Sequence, residues 1–279
     1  MIYYKTNDEM FNFSDVLFSC STGLGDYINT NGAVTYLSKL FTVHLVVPEN
    51  YYNQLQEMYN DNKNVKFIIS TSSRINIHHI MRQFFPYGAF VFLSGAYKSF
   101  VDDSWNDSED VKLYPKNFYR DMEIPFSIHK YFRLGDIEYL EPPNVPYIFI
   151  HEKWSGGQVD IFNTLNTDLL VIDPNTNHYD PSHPFYSIAQ TYVEPPSIFR
   201  LVRVIENAQE IHMVESSILC LALFLQLDNV KVKKCHVKRS ELLNNVDSNG
   251  FTLSSSVLDQ TESSRPNQDP STSCYPPNT

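Results

Sequence analysis

Apolar-rich runs recur along the first ninety residues, alternating with segments whose apolar positions repeat at helical spacing. Residues 16–19, 43–47 and 65–69 have the length and composition of buried strands, while 27–40 and 51–60 have the period of helices. The pattern predicts βαβαβ. A helix over 75–84 and a strand over 89–93 extend it to a parallel sheet with covering helices.

Residues 102–146 break this rhythm. They hold an acidic cluster (Asp102, Asp103, Asp107, Glu109, Asp110), a partly helical stretch over 114–134, and Pro142, Pro143 and Pro146. Alternation resumes with strands expected over 147–151, 169–172, 210–214 and 230–236, and helices over 197–207 and 217–227. From residue 244 the chain is dominated by Ser, Asn, Asp, Pro and Thr, which predicts a disordered tail. The fold expected is α/β: two Rossmann-like, doubly wound parallel-sheet units, 1–140 and 141–243, facing across a cleft, with 244–279 as the tail. Such clefts are common ligand sites.

Composition narrows the function classes. A formal charge of −11 argues against a nucleic-acid partner, because phosphate binding requires a basic surface. No apolar run reaches the ~18 residues of a membrane span. The first ten residues lack the basic start and apolar stretch of a signal peptide, so a cytoplasmic protein is expected. Cys20, Cys220, Cys235 and Cys274 are scattered, which argues against a zinc ribbon or a disulfide framework.

The most informative segment follows the first strand and reads Ser21-Thr22-Gly23-Leu24-Gly25-Asp26. Gly23 and Gly25 let the backbone approach a ligand, and Asp26 stands where a helix begins. Right-handed crossovers put this turn at the carboxyl edge of the sheet, where ligands of doubly wound folds bind. Gly23, Leu24, Gly25 and Asn29 are the candidate phosphate or acceptor loop, and Asp26 the candidate catalytic residue. The same residues also read as an ordinary strand-to-helix turn with Asp26 as its cap. An NAD site, and with it an NAD-dependent oxidoreductase, is a further alternative. It lacks the third glycine and the acidic residue about 20 positions on that the dinucleotide fingerprint requires.

Two later segments carry related chemistry. His151-Glu152-Lys153-Trp154-Ser155-Gly156-Gly157 follows the strand over 147–151, so Lys153, Gly156 and Gly157 could receive a diphosphate; Lys153 reads equally as a surface lysine. Glu215, Ser216 and Ser217 end a strand and start an apolar helix, either as plain helix caps or as donor-binding groups. His78-His79 and His178 to His183 lack metal spacing with carboxylates, so no metal is assigned. Tyr179 and Phe185 are candidates for stacking on a base.

In this order the motifs resemble those of the GT-B glycosyltransferases, most nearly the heptosyltransferase-like family. The similarity rests on Gly25-Asp26, on Lys153-Trp154 at the place of a Lys-x-Trp-Pro-like stretch whose proline is absent here, and on Met213-Val214-Glu215-Ser216-Ser217. The late element is also similar to that of GT-B fucosyltransferases, although Phe132-Arg133-Leu134-Gly135-Asp136 only faintly echoes their arginine motif. The resemblance implies sugar transfer from a nucleotide-sugar donor to a carbohydrate acceptor, with inversion, without a metal or other cofactor, and with Asp26 as general base. It places Lys153, Ser216 and Ser217 at the departing diphosphate and Glu215 at the sugar or ribose. A non-catalytic binding protein of the same fold is the alternative.

Overall fold

The computed structural model describes residues 2–3, 15–20, 23–70, 90–93, 114–237 and 242–254. The helix expected over 75–84, with His78-His79, the acidic cluster over 102–110, and the tail beyond 254 lie outside the described residues.

The first sheet contains β1 (Ile2–Tyr3), β2 (Asp15–Ser19), β3 (Thr42–Pro48), β4 (Val65–Ser70) and β5 (Phe90–Leu93), in the order β1-β4-β3-β2-β5. All pairs are parallel except β1 with β4. Every residue of β2 is buried, as is all of β3 after Thr42, which is why both read as apolar runs without alternation. The chain runs outward from β2 to β3 and β4, then returns to place β5 on the other side of β2. That reversal makes the carboxyl end of β2 the switch point of the sheet.

Helix α1 (Leu24–Leu37) leaves that point, and α2 (Tyr52–Met58) follows β3. The sequence pattern predicts the start of α1 at residue 27; it begins a turn earlier because the Gly23 carbonyl already accepts the Asp26 N–H at 3.0 Å. Ten of its residues are buried, Asn29, Thr30 and Asn31 among them, so α1 lies inside the protein rather than on its surface. The reason is the segment over 114–140. It contains α3 (Lys116–Asp121) and a 3-10 turn, Phe126–Tyr131, that lies against α1. A Cβ on Gly32 would stand 2.7 Å from the carbonyl oxygens of both Ile128 and His129, so only glycine permits this approach. Asn31 fixes the register by accepting from Arg133 N–H at 2.8 Å and donating to its carbonyl at 3.0 Å. Arg133 also pairs with Asp61, and the Asp136 N–H donates to Asn60 at 2.7 Å, which gives the Phe132 to Asp136 stretch a structural use.

The second sheet contains β6 (Tyr147–His151), β9 (Leu170–Ile172), β10 (Glu210–Val214), β11 (Val232–Val237) and β12 (Thr252–Leu253), all parallel, in the order β12-β11-β10-β6-β9. A separate ribbon joins β7 (Lys153–Trp154) to β8 (Gly157–Gln158). The helices are α4 (Tyr186–Gln190), α5 (Val202–Glu206), α6 (Ser217–Ala222) and α7 (Leu242–Asn245). Because β9 and β10 flank β6 on opposite sides, the carboxyl ends of β6 and β10 form the second switch point.

The end of the second sheet corrects one sequence expectation. Residues 244–254, assigned to the tail, supply β12, which pairs Thr252 and Leu253 with Lys234 and Cys235. Phe251 is buried, and Asn249 donates to the carbonyls of Ala222 and Leu225, closing the end of α6. One aromatic residue and one turn asparagine anchor a stretch whose composition is otherwise that of a linker.

A continuous buried cluster runs from Phe18 and Leu45 of the first sheet to Phe149 and Met213 of the second. Polar ties accompany it: Arg200 Nε donates to Glu57 Oε1 at 2.9 Å, and the Leu140 N–H donates to the Arg200 carbonyl at 2.8 Å. A smaller cluster of Ile148, Ile150, Ile161, Val171 and Val214 covers the other face of the second sheet.

Candidate functional site

The starts of α1 and α6 meet. A Cβ on Gly25 would stand 3.1 Å from the Cys220 sulfur and 3.6 Å from the Ser217 Cα, so the glycine at this position lets the two helices touch. The first switch point therefore abuts the element that follows the second.

Asp26 divides its carboxylate between two donors. Oδ2 accepts the Gly23 N–H at 3.1 Å, closing the first turn of α1, and Oδ1 accepts the Tyr114 hydroxyl at 3.2 Å. The capping role read from the sequence is thus present, but it occupies one oxygen. Tyr114 in turn accepts from Asn29 Nδ2 at 2.8 Å, and the same amide lies 3.4 Å from the Cys220 sulfur. Burial, followed by the charges of Cys220, Asp26 and Glu215, holds the Tyr114 hydroxyl well above its ordinary pKa. Burial, then Glu215 and Asp26, pushes the Cys220 thiol up to about 12. Asp26 and Glu215 thus act on the same Tyr114–Cys220 pair, one from each sheet.

Two members of the expected loop are buried. Leu24 packs in the core. Asn29 is 1% exposed, and its amide donates to the Tyr114 hydroxyl.

At the second switch point Ser216 caps α6, its hydroxyl accepting from the Leu219 N–H at 3.5 Å. The same oxygen is hydrogen-bonded to His151 Nδ1 at 3.0 Å, which joins the ends of β10 and β6. Burial lowers the His151 pKa to about 4 against the opposing charge of Asp173, with Lys153 adding to the fall, so the ring is neutral near pH 7. Glu215 is buried and Ser217 half-buried.

Lys153 is exposed on β7. Gly156 and Gly157 serve the ribbon itself: a Cβ would stand 2.8 Å from the Trp154 indole nitrogen at Gly156 and 2.9 Å from Trp154 Cζ2 at Gly157. Tyr179 is likewise engaged, its ring stacked on His183 at 4.5 Å and its hydroxyl accepting from the Val171 N–H at 2.7 Å.

His178, which lacks metal spacing with carboxylates along the sequence, meets two of them in the fold. His178 Nε2 lies 3.0 Å from Asp173 Oδ2 and 3.7 Å from Glu152 Oε2, and these three atoms lie within 4.8 Å of one another. Sequence spacing hides the group, because its members come from the ends of β6 and β9 and from a loop. The sequence hides Tyr114 for a related reason: it lies in the stretch that breaks the strand–helix rhythm, and only folding brings it to Asp26.

No protein-family model and no curated protein matches the chain in sequence. Comparison of structures finds similarity to the iron-containing dodecameric glycosyltransferase TibC of enterotoxigenic E. coli H10407, at 14% identity and a TM-score of 0.38, over 80% of this chain and 59% of that one. The complex of heptosyltransferase TibC with ADP-D-β-D-heptose gives 13% identity and a TM-score of 0.43, over 84% and 62%. A glycosyl transferase family 9 protein from Veillonella parvula gives 10% and 0.42, over 88% and 87%. The chain is similar in structure to glycosyltransferases. It spans about three fifths of the length of the TibC chains.

Among the described residues, no helix is long and apolar enough to cross a membrane.

Proposed function

We propose that the protein is a glycosyltransferase that moves a hexosyl, deoxyhexosyl or heptosyl group from a nucleotide-sugar donor to a carbohydrate acceptor. The observation that supports this reading best is the contact of Gly25 with Cys220 and Ser217, which sets Asp26 and Glu215 about the same Tyr114. A carboxylate from one switch point then lies near polar groups from the other, as transfer between two bound substrates requires.

In this reading Asp26 takes the proton of the acceptor hydroxyl as its oxygen attacks the anomeric carbon. The bond from that carbon to the diphosphate breaks, and the nucleoside diphosphate leaves with the electron pair. Lys153 and the Ser217 hydroxyl meet the charge that develops on it, and no metal is assigned to this step. Attack opposite the leaving group inverts the anomeric centre. Glu215 contacts the sugar or ribose. Gly156 and Gly157 act only by shaping the ribbon that carries Lys153.

Incubation with UDP-, GDP-, dTDP- and ADP-sugars and a mixed glycan acceptor, with release of nucleoside diphosphate as the readout, tests the proposal. Turnover with one donor supports it, and absence of both turnover and binding across the panel rejects it. The engagement of both Asp26 oxygens, by Gly23 and Tyr114, favours a second reading, a nucleotide- or sugar-binding protein that keeps the fold without the chemistry. Calorimetric binding without turnover selects that alternative.

A further inference from the structure

Two buried carboxylates face one imidazole at the carboxyl edge of the second sheet. Glu152 is 1% exposed and Asp173 2%, and both are tied down through one oxygen. Glu152 Oε1 accepts the N–H groups of Ile161 and Phe162, each at 2.7 Å. Asp173 Oδ1 accepts from Asn175 N–H at 2.8 Å and from its side-chain amide at 2.9 Å. The second oxygens, Oε2 and Oδ2, turn toward His178 Nε2; Gln158 Nε2 also donates to Oε2 at 3.2 Å. The imidazole is oriented by stacking on Phe162, with ring centres 4.4 Å apart and planes 7° from parallel.

This is the arrangement that outer hydrogen bonds give to metal ligands: one oxygen of each carboxylate is held by the protein and the other is presented inward. Bonds of about 2.1 Å to nitrogen and oxygen place neighbouring ligands roughly 3.0 to 3.5 Å apart, close to the separations of 3.0 and 3.7 Å found here. Charge points the same way. Two acidic side chains brought together away from water favour a divalent cation between them.

We propose that Glu152, Asp173 and His178 bind one divalent first-row metal ion of mixed nitrogen and oxygen preference, of the zinc or manganese type. The inference is independent of the glycosyl-transfer reading. Its ligands come from three places, the end of β6, the end of β9 and the loop before α4, so the ion clasps these segments together beside His151.

The test uses the full chain, stripped with chelator and dialysed against zinc or manganese. One ion per chain is expected, bound at least about 100-fold more weakly by Asp173→Asn and His178→Ala. An ion that remains stoichiometric in folded forms of both variants overturns the proposal. If either variant fails to fold, nitrogen NMR of the histidine rings in the unaltered protein decides. Zinc should move the His178 ring signals to those of an imidazole bound through Nε2. His178 ring signals that do not move at saturating zinc overturn the site.

Discussion

The Tyr114 hydroxyl donates to Asp26 Oδ1 at 3.2 Å, across 88 positions of sequence. This bond joins the start of α1 to the segment that runs between the two sheets. In the proposed reaction an acceptor hydroxyl replaces Tyr114 at Oδ1 or shares that oxygen with it.

Asp26→Asn keeps an oxygen for the Gly23 N–H but removes the base. Donor binding measured by calorimetry should stay within about twofold, while the transfer rate falls about 100-fold or more. Parallel loss of binding, rate and thermal stability would mean that Asp26 is only a cap.

Tyr114→Phe deletes a buried hydroxyl that is both donor to Asp26 and acceptor from Asn29. A stability loss of about 1 to 2 kcal/mol is expected from denaturant titration, because the Asn29 amide keeps only its weak contact with the Cys220 sulfur. If the hydrogen bond orients the carboxylate for catalysis, kcat falls as well while donor KM is unchanged.

Lys153→Ala should leave the denaturation midpoint nearly unaltered, since the side chain is exposed. The same substitution should lower kcat/KM for a nucleotide-sugar by about 10- to 100-fold if the ammonium meets the diphosphate. Unchanged kinetics would return Lys153 to the solvated surface.

Two glycines on α1 should respond differently to alanine. At Gly25 the added methyl meets the Cys220 side chain at 3.1 Å, and Cys220→Ala in the same chain should recover part of a loss of about 1 to 3 kcal/mol. At Gly32 it meets two backbone carbonyls at 2.7 Å, which no second side-chain change relieves, so the loss should be larger. Thermal melts of the three variants check both statements.

Acid should weaken the fold through His151. Its folded pKa of about 4 lies below the ordinary 6.5, so the unfolded chain binds the proton more readily and stability falls as the pH drops through that interval. His236, lowered to about 4 by burial and then by the charges of His212 and Lys234, acts in the same direction. His178, whose pKa is raised, acts oppositely: its stabilisation is complete below pH 6.5 and is lost as the pH rises through its folded value. Urea midpoints for His151→Gln should vary less between about pH 6.5 and 4 than those of the unaltered chain.

Much of the architecture is legible in local pattern. Strand β6, buried throughout, and β10, buried after Glu210, are expected at Tyr147–His151 and Glu210–Val214, where they are found, because runs buried on both faces need no partner to be recognised. Boundaries that depend on capping shifted: α1 begins at Leu24 through the Gly23–Asp26 bonds, and β12 exists because Phe251 finds a buried place. Of the site residues, Asp26, Glu215, Ser216 and Ser217 could be named from strand-to-helix turns, since a short polar residue after an apolar run signals a helix start.

The alternation of strand and helix, the polar turns at strand ends and the net negative charge are properties of the chain itself, and the sequence determined them alone. The packing of Gly25 on Cys220, the bond from Tyr114 to Asp26, the filling of Gly156 and Gly157 by Trp154, and the gathering of Glu152, Asp173 and His178 were decided only in three dimensions. Each joins groups whose spacing along the chain obeys no period, and what selects them is the close packing and buried charge of one particular fold.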